Sequence, residues 1–124
     1  MNKKILLVED EASIADVFKD QLTFGGFDVE IATGGVQALE MLKANKYDVM
    51  LLDLVMPEVD GLAVLQTMKD KPEEYSKIPT IVLTNVTSDD VKKEVEAYNL
   101  QGYVLKLNIK PQMLIDAVNK AMTA

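Results

Sequence analysis

Short apolar runs alternate with stretches of helical periodicity along the whole chain. Residues 4–8 (KILLV) form a run rich in strand formers. Residues 12–24 then place Ile14, Phe18 and Leu22 four apart on one helical face, and Gly25-Gly26 stops that helix. A short strand is predicted at 29–31. A helix follows over 36–44, with Val36, Leu39 and Leu42 three apart. Residues 48–53 (DVMLLD) read as a buried strand closed by an acid, and 62–69 as a helix. Residues 80–84 (TIVLT) form a strand after Pro79. Ser88-Asp89-Asp90 has the character of a helix N-terminus, where acids meet the positive end of the dipole. Residues 103–105 make a fifth strand, and the last helix starts near Pro111, where proline suits the first turn.

Strand and helix thus alternate five times. That order predicts an α/β fold, a doubly wound five-stranded parallel sheet with helices on both faces. Strands 1, 3 and 4 are almost purely apolar and belong in the centre. The second is shorter and more polar, as an edge strand is. The flavodoxin-like (βα)5 order 2-1-3-4-5 satisfies this pattern and the right-handed crossover rule. At 124 residues, 1–124 is expected to be a single domain.

Composition narrows the chemistry. The chain has no Cys, His or Trp, which excludes disulfides, thiol nucleophiles, Ser-His-Asp triads and His- or Cys-bound metals. Any metal must be held by oxygen, which favours a hard cation such as Mg²⁺. No apolar run exceeds that of residues 49–52, so no membrane association is expected. The basic N-terminus meets Glu9 and Asp10 at once, unlike a signal peptide, and a cytoplasmic location is expected. The formal charge of −7 argues against direct nucleic acid binding.

In sheets of this kind ligands bind beyond the C-terminal ends of the strands. There the sequence places Glu9-Asp10-Glu11 after strand 1, Asp53 at the end of strand 3, Thr84-Asn85 after strand 4 and Lys106 after strand 5. Each has an ordinary explanation taken singly. Asp10 and Glu11 suit the first turn of a helix, Thr84 is a common strand residue, and Lys106 could be solvated. Asp53 is harder to dismiss, because a carboxylate closing an apolar strand is costly unless paired or at the surface. Taken together, at the expected strand ends, they describe a pocket for phosphoryl transfer. Crowded acids would hold a divalent cation, an Asp carboxylate could serve as nucleophile, and Lys106 and the Thr84 hydroxyl would meet phosphoryl oxygens.

These residues, with ILLVEDE at 5–11, GFDVEIATGGVQAL at 26–39, DVMLLDLVMPEVDGL at 48–62, PTIVLT at 79–84 and GYVLK at 102–106, resemble the receiver domain of two-component response regulators, of the chemotaxis-regulator type. The resemblance covers essentially the whole chain. It implies that Asp53 is the phosphoacceptor. It implies that Glu9, Asp10, Asp53 and the backbone carbonyl of Val55 hold Mg²⁺, or Mn²⁺ in its place. Thr84 and Lys106 would contact the phosphoryl group, and Tyr103 would be the switch aromatic that follows Thr84. Pro57 and Gly61 would shape the loop after strand 3. The implied partners are a histidine kinase or a histidine phosphotransfer protein as donor, and an output protein or domain. The output partner would meet the face of helix 4, strand 5 and helix 5, around Lys92, Ala97, Tyr103 and Ile115. Such a protein would not be an enzyme beyond catalysing its own Asp phosphorylation and slow autodephosphorylation. No output domain follows helix 5, so the chain is either a stand-alone receiver or a piece of a longer regulator.

Three positions depart from the family pattern. Leu107 follows Lys106 where proline, after a cis bond, is usual. A cis bond there would cost about 3–4 kcal/mol without proline, so a strained cis bond or a trans bond with a rearranged loop is expected. Asn85 stands where a small residue is usual and would narrow phosphoryl access. Val55 and Val86 stand two residues past Asp53 and Thr84, where polar groups often place the hydrolytic water, which predicts slow autodephosphorylation. The alternative reading is a pseudo-receiver, a phosphorylation-independent interaction module. A haloacid-dehalogenase-type phosphatase would need a second acid where Val55 stands. A flavodoxin would not place Glu9-Asp10-Glu11 beside a phosphate.

Overall fold

The computed structural model describes residues 2–75, 77–85, 89–96, 98, 100–106 and 109–123, and only the backbone of 89–92. The five strands are β1 (Lys4–Val8), β2 (Asp28–Ala32), β3 (Val49–Asp53), β4 (Thr80–Thr84) and β5 (Gly102–Leu105). They alternate with α1 (Ala12–Phe24), α2 (Gly35–Ala44), α3 (Gly61–Asp70), α4 (Asp89–Glu96) and α5 (Pro111–Thr123). All strand pairs are parallel, in the order β2-β1-β3-β4-β5, as the pattern of apolar runs predicts. The edge strands are the two with the most exposure, while every residue of β3 and β4 is buried.

Both faces of the sheet are covered, which is why the central strands are apolar at every position rather than at every second one. Ile5, Leu7, Val49, Leu51, Ile81 and Leu83 point to one side, against Phe18 and Leu22 of α1 and Leu114 and Val118 of α5. Leu6, Val8, Met50 and Leu52 point to the other, against Ala38 of α2 and Val64 and Leu65 of α3. A smaller cluster of Leu54, Val82 and Val95 seats α4, with Tyr103 packed on it.

The stop at Gly25-Gly26 is realised as a left-handed residue. Gly26 has φ +94, open to glycine at no steric cost, and this lets Phe27 donate back to the Leu22 carbonyl at 3.1 Å. One expectation is corrected on the neighbouring helix. Ile115 turns toward α1, close enough that a Cβ on Gly25 would meet its Cδ1 at 2.9 Å, and it packs with the α1 side of the core. The buried stripe of α5 runs through Leu114, Val118 and Ala121, so Ile115 lies one helical step round toward α1, not toward α4. The side chain of Lys92, and Ala97, Val86, Ser88 and Leu107, lie outside the described residues, and with them the expectation about the 106–107 bond. Among the described residues no helix is long and apolar enough to cross a membrane.

Candidate functional site

The C-terminal edge of the sheet collects the predicted residues because parallel strands all end on the same side. Glu9 directly follows β1, and its amide extends the ladder to the Ala32 carbonyl at 3.0 Å. Asp53 is the last residue of β3, opposite Leu83. Thr84, one position beyond that level on β4, is 1% exposed. Its carbonyl accepts from the Lys106 amide at 2.9 Å, which fixes where the lysine leaves β5.

The side chains converge. One carboxylate oxygen each from Glu9, Asp10 and Asp53 lie within 4.8 Å of one another. Glu9 is fully buried and Asp53 nearly so, while Asp10 is partly open to solvent. The Lys106 side chain is 7% exposed, and its ammonium stands between the two buried acids, 2.5 Å from Glu9 Oε1 and 3.2 Å from Asp53 Oδ2. Asp53 Oδ1 accepts from the Val55 amide at 3.2 Å.

Charge is not balanced in this cluster. Burial pushes the Glu9 carboxyl up to about 7, and the hydrogen bond and charge of Asp53 push the same way against the pull of Lys106. Burial alone would lower the Lys106 pKa, but the Glu9 hydrogen bond and the Asp53 and Glu9 charges outweigh it, and it is raised. The lysine therefore stays an ammonium.

The loop after β3 is shaped to hold Asp53 in place. Gly61, the first residue of α3, donates to the Leu54 carbonyl at 3.0 Å, and a Cβ there would fall 2.5 Å from the Asp53 carbonyl oxygen. Only glycine lets α3 begin so close under Asp53. Asp60 caps the helix, accepting from the Ala63 amide at 2.9 Å. Glu58 takes a left-handed conformation, φ 64, in the same turn.

The residues present fit a hard cation. The donors are all carboxylates, two of them buried. Glu9 Oε1 is fully buried, with the Lys106 ammonium as its partner within the protein, and one ammonium faces three acids. A divalent ion would offset that excess negative charge.

Each predicted side chain for the pocket sits at this edge. Val55 reaches it through its backbone amide, the residue being 67% exposed beside Asp53. Asn85 is exposed at the end of β4. Tyr103 is half-buried on the α4 side of β5, packed with Leu54, Val82 and Val95. The bridging of Glu9 and Asp53 by Lys106 was not foreseen, nor was the Val55 amide bond to Asp53. The sequence signal for the first was present. Glu9 prolongs four apolar residues of a central strand, and an acid so placed needs a cation.

The five-stranded parallel sheet in the order 2-1-3-4-5, with helices on both faces, puts the chain in the flavodoxin-like fold class. Within it, the chain matches the response regulator receiver domain over residues 5–119, and it belongs to that family. Response regulator MprA of Mycobacterium ulcerans (strain Agy99) is 35% identical over 95 residues, 77% of this chain and 39% of that protein. The probable transcriptional regulator ycf29 of Porphyra purpurea is 29% identical over 120 residues, 95% of this chain and 56% of that protein. The chain thus spans between two-fifths and somewhat over half the length of these relatives. Among solved structures, chemotaxis protein CheY4 of Vibrio cholerae superposes with a TM-score of 0.88 at 26% identity, covering 98% of this chain and 99% of that one. The Francisella response regulator 1452 receiver domain gives 0.86 at 28% identity, covering 98% of each. The chain is a receiver domain of the kind found in response regulators of two-component systems.

Proposed function

We propose that the chain is a phosphorylation-dependent switch that takes a phosphoryl group on Asp53 from a histidine kinase or a histidine phosphotransfer protein. The observation that carries this is the buried Asp53 carboxylate at the end of β3, with Lys106 Nζ 3.2 Å from Oδ2 and two further acids close by. A carboxylate oxygen of Asp53 attacks phosphorus. The phosphorus–nitrogen bond to the donor imidazole breaks, and its electron pair leaves with the ring. The charged Lys106 then donates to a phosphoryl oxygen, and the Thr84 hydroxyl would donate to another. Glu9, Asp10, Asp53 and the Val55 carbonyl would hold Mg²⁺, or Mn²⁺, which when bound neutralises charge on the acids and the phosphoryl oxygens.

Turnover of this kind acts only on the protein itself, so we do not class it as an enzyme. A phosphohistidine donor places it in the cytoplasm. The output surface lies on α4, β5 and α5, with Tyr103 at its centre. The net charge of −7 favours a protein partner there over direct nucleic acid contact. The valine beside the acceptor cannot hydrogen-bond a hydrolytic water, which supports a long-lived aspartyl-phosphate.

Intact-protein mass after incubation with Mg²⁺ and a small acyl phosphate or phosphoramidate tests the reading. A single phosphate adduct is expected, absent in Asp53→Ala and without Mg²⁺, and decaying over minutes or longer. Decay within seconds would remove the role given to Val55. A folded, Mg²⁺-binding protein that never takes phosphate would instead be an interaction module.

A further inference from the structure

Of the described side chains of α4, Val95 is buried, while Lys93, Glu94 and Glu96 are exposed. Directly after the helix, Tyr98 reaches away from it to α3. Its hydroxyl donates to Gln66 Oε1 at 2.6 Å, and its amide donates to the Val95 carbonyl at 3.0 Å. The receiving amide is itself oriented, because Gln66 Nε2 donates to Asp70 Oδ1 at 2.8 Å. Lys69 Nζ stands 5.6 Å over the tyrosine ring. The ring also packs on the core beneath α3, beside Met68, Ile78 and Leu100. On its far side the segment is clasped to the start of β4. Gln101 donates through its amide to the Thr80 carbonyl at 2.9 Å and accepts from the Thr80 amide at 3.1 Å.

We propose that the Tyr98–Gln66 hydrogen bond is a latch that ties the C-terminal end of α4 to α3 and sets how readily the resting arrangement gives way. Two features make it a latch and not only packing. It joins the end of α4 to α3, whose first residue lies directly against the Asp53 carbonyl. It is also built from a chain of three side chains, Tyr98 to Gln66 to Asp70, in which each polar group fixes the next. Among the described contacts, releasing Tyr98 breaks its hydrogen bond to Gln66 and the cation–π contact with Lys69, while the Gln101–Thr80 clasp is untouched. Tyr98 is thus a positioning residue. Its coupling to phosphorylation rests on the reading of Asp53 given above, whereas its hold on α4 does not.

The test compares Tyr98→Phe, Gln66→Ala and the double variant with the parent chain. Phenylalanine keeps the ring and its packing, so the fold is retained. Hydrogen–deuterium exchange without any phosphodonor reads the latch by itself. Exchange in the last turn of α4 is expected to rise about two- to fivefold in each single variant, the equivalent of about 0.5–1 kcal/mol for a partly exposed hydrogen bond. The double variant is expected to show no further rise, since both changes remove the same bond. Unchanged exchange in Tyr98→Phe, or full additivity in the double variant, would overturn the latch. With a small phosphodonor and Mg²⁺, Tyr98→Phe should take phosphate faster by a similar factor. Faster exchange with an unchanged phosphorylation rate would overturn the coupling. A parent chain that takes no phosphate would fail the reading of Asp53, and the exchange result would still decide the latch.

Discussion

Lys106 is the residue on which the pocket's charge depends. It faces two buried carboxylates, and neither could remain charged cheaply without it. Removing one partner of a buried ion pair leaves an uncompensated charge, at a cost of about 3–5 kcal/mol. The cost here falls toward the lower end, because Glu9 can take up a proton. Lys106→Met keeps the stem and removes the charge. It is expected to lower stability in urea denaturation by about 3 kcal/mol without divalent ions. The same variant should bind Mg²⁺ more tightly than the parent chain, because the ion no longer competes with an ammonium for Glu9 and Asp53. Equal stability of the two proteins in metal-free buffer would mean that the lysine is already solvated in solution. The three acids would then have to be held apart by something else.

At the scale of elements, the edge strand β2 is held by more than its ladder. Tyr47, in the loop before β3, donates its hydroxyl to Glu30 Oε1 of β2 at 2.6 Å. Lys4 of β1 pairs with the other oxygen at 3.3 Å and stands 5.5 Å over the tyrosine ring. Burial, and then the hydrogen bond and charge of Glu30, push the Tyr47 hydroxyl up to about 12. The same hydrogen bond holds the Glu30 carboxyl below its ordinary value. The signs follow by linkage. A raised tyrosine pKa stabilises the fold fully below pH 10 and loses that contribution as pH rises toward 12. A lowered carboxyl pKa stabilises above the unfolded value of 4.5 and loses its contribution as pH falls through the folded one. Tyr47→Phe should therefore flatten the stability profile at both ends. It should leave strand order intact, because the β1–β2 register does not depend on the hydroxyl. An unchanged alkaline limb in Tyr47→Phe would show that the hydroxyl is already free in solution.

For the whole molecule, the parts legible in the sequence are those fixed by period and by topology. Apolar runs at 5–8, 49–52 and 80–84 could only be central strands, and a parallel sheet then had to bring Glu9, Asp10, Asp53, Thr84 and Lys106 to one edge. What was not legible depends on side-chain direction across long sequence separations. Ile115 turns to α1, Lys106 bridges two acids, and Tyr98 bonds to Gln66, and no local pattern specifies any of these. The pocket also makes a demand on the molecule as a whole. It concentrates negative charge in a chain that is already at −7, so a cation bound there should stabilise the entire fold. A ligand that binds only the folded state at ten times its dissociation constant adds about 1.4 kcal/mol. For a domain of this size that raises the melting midpoint by about 5 °C. The midpoint should therefore climb with Mg²⁺ and respond far less to Na⁺ at equal ionic strength. The Mg²⁺-specific part should vanish in Asp10→Asn, whose carboxylate is the most open of the three and so can be neutralised without disturbing the core. A midpoint that follows ionic strength alone would mean that the acids are merely screened, and the pocket would then hold no specific ion.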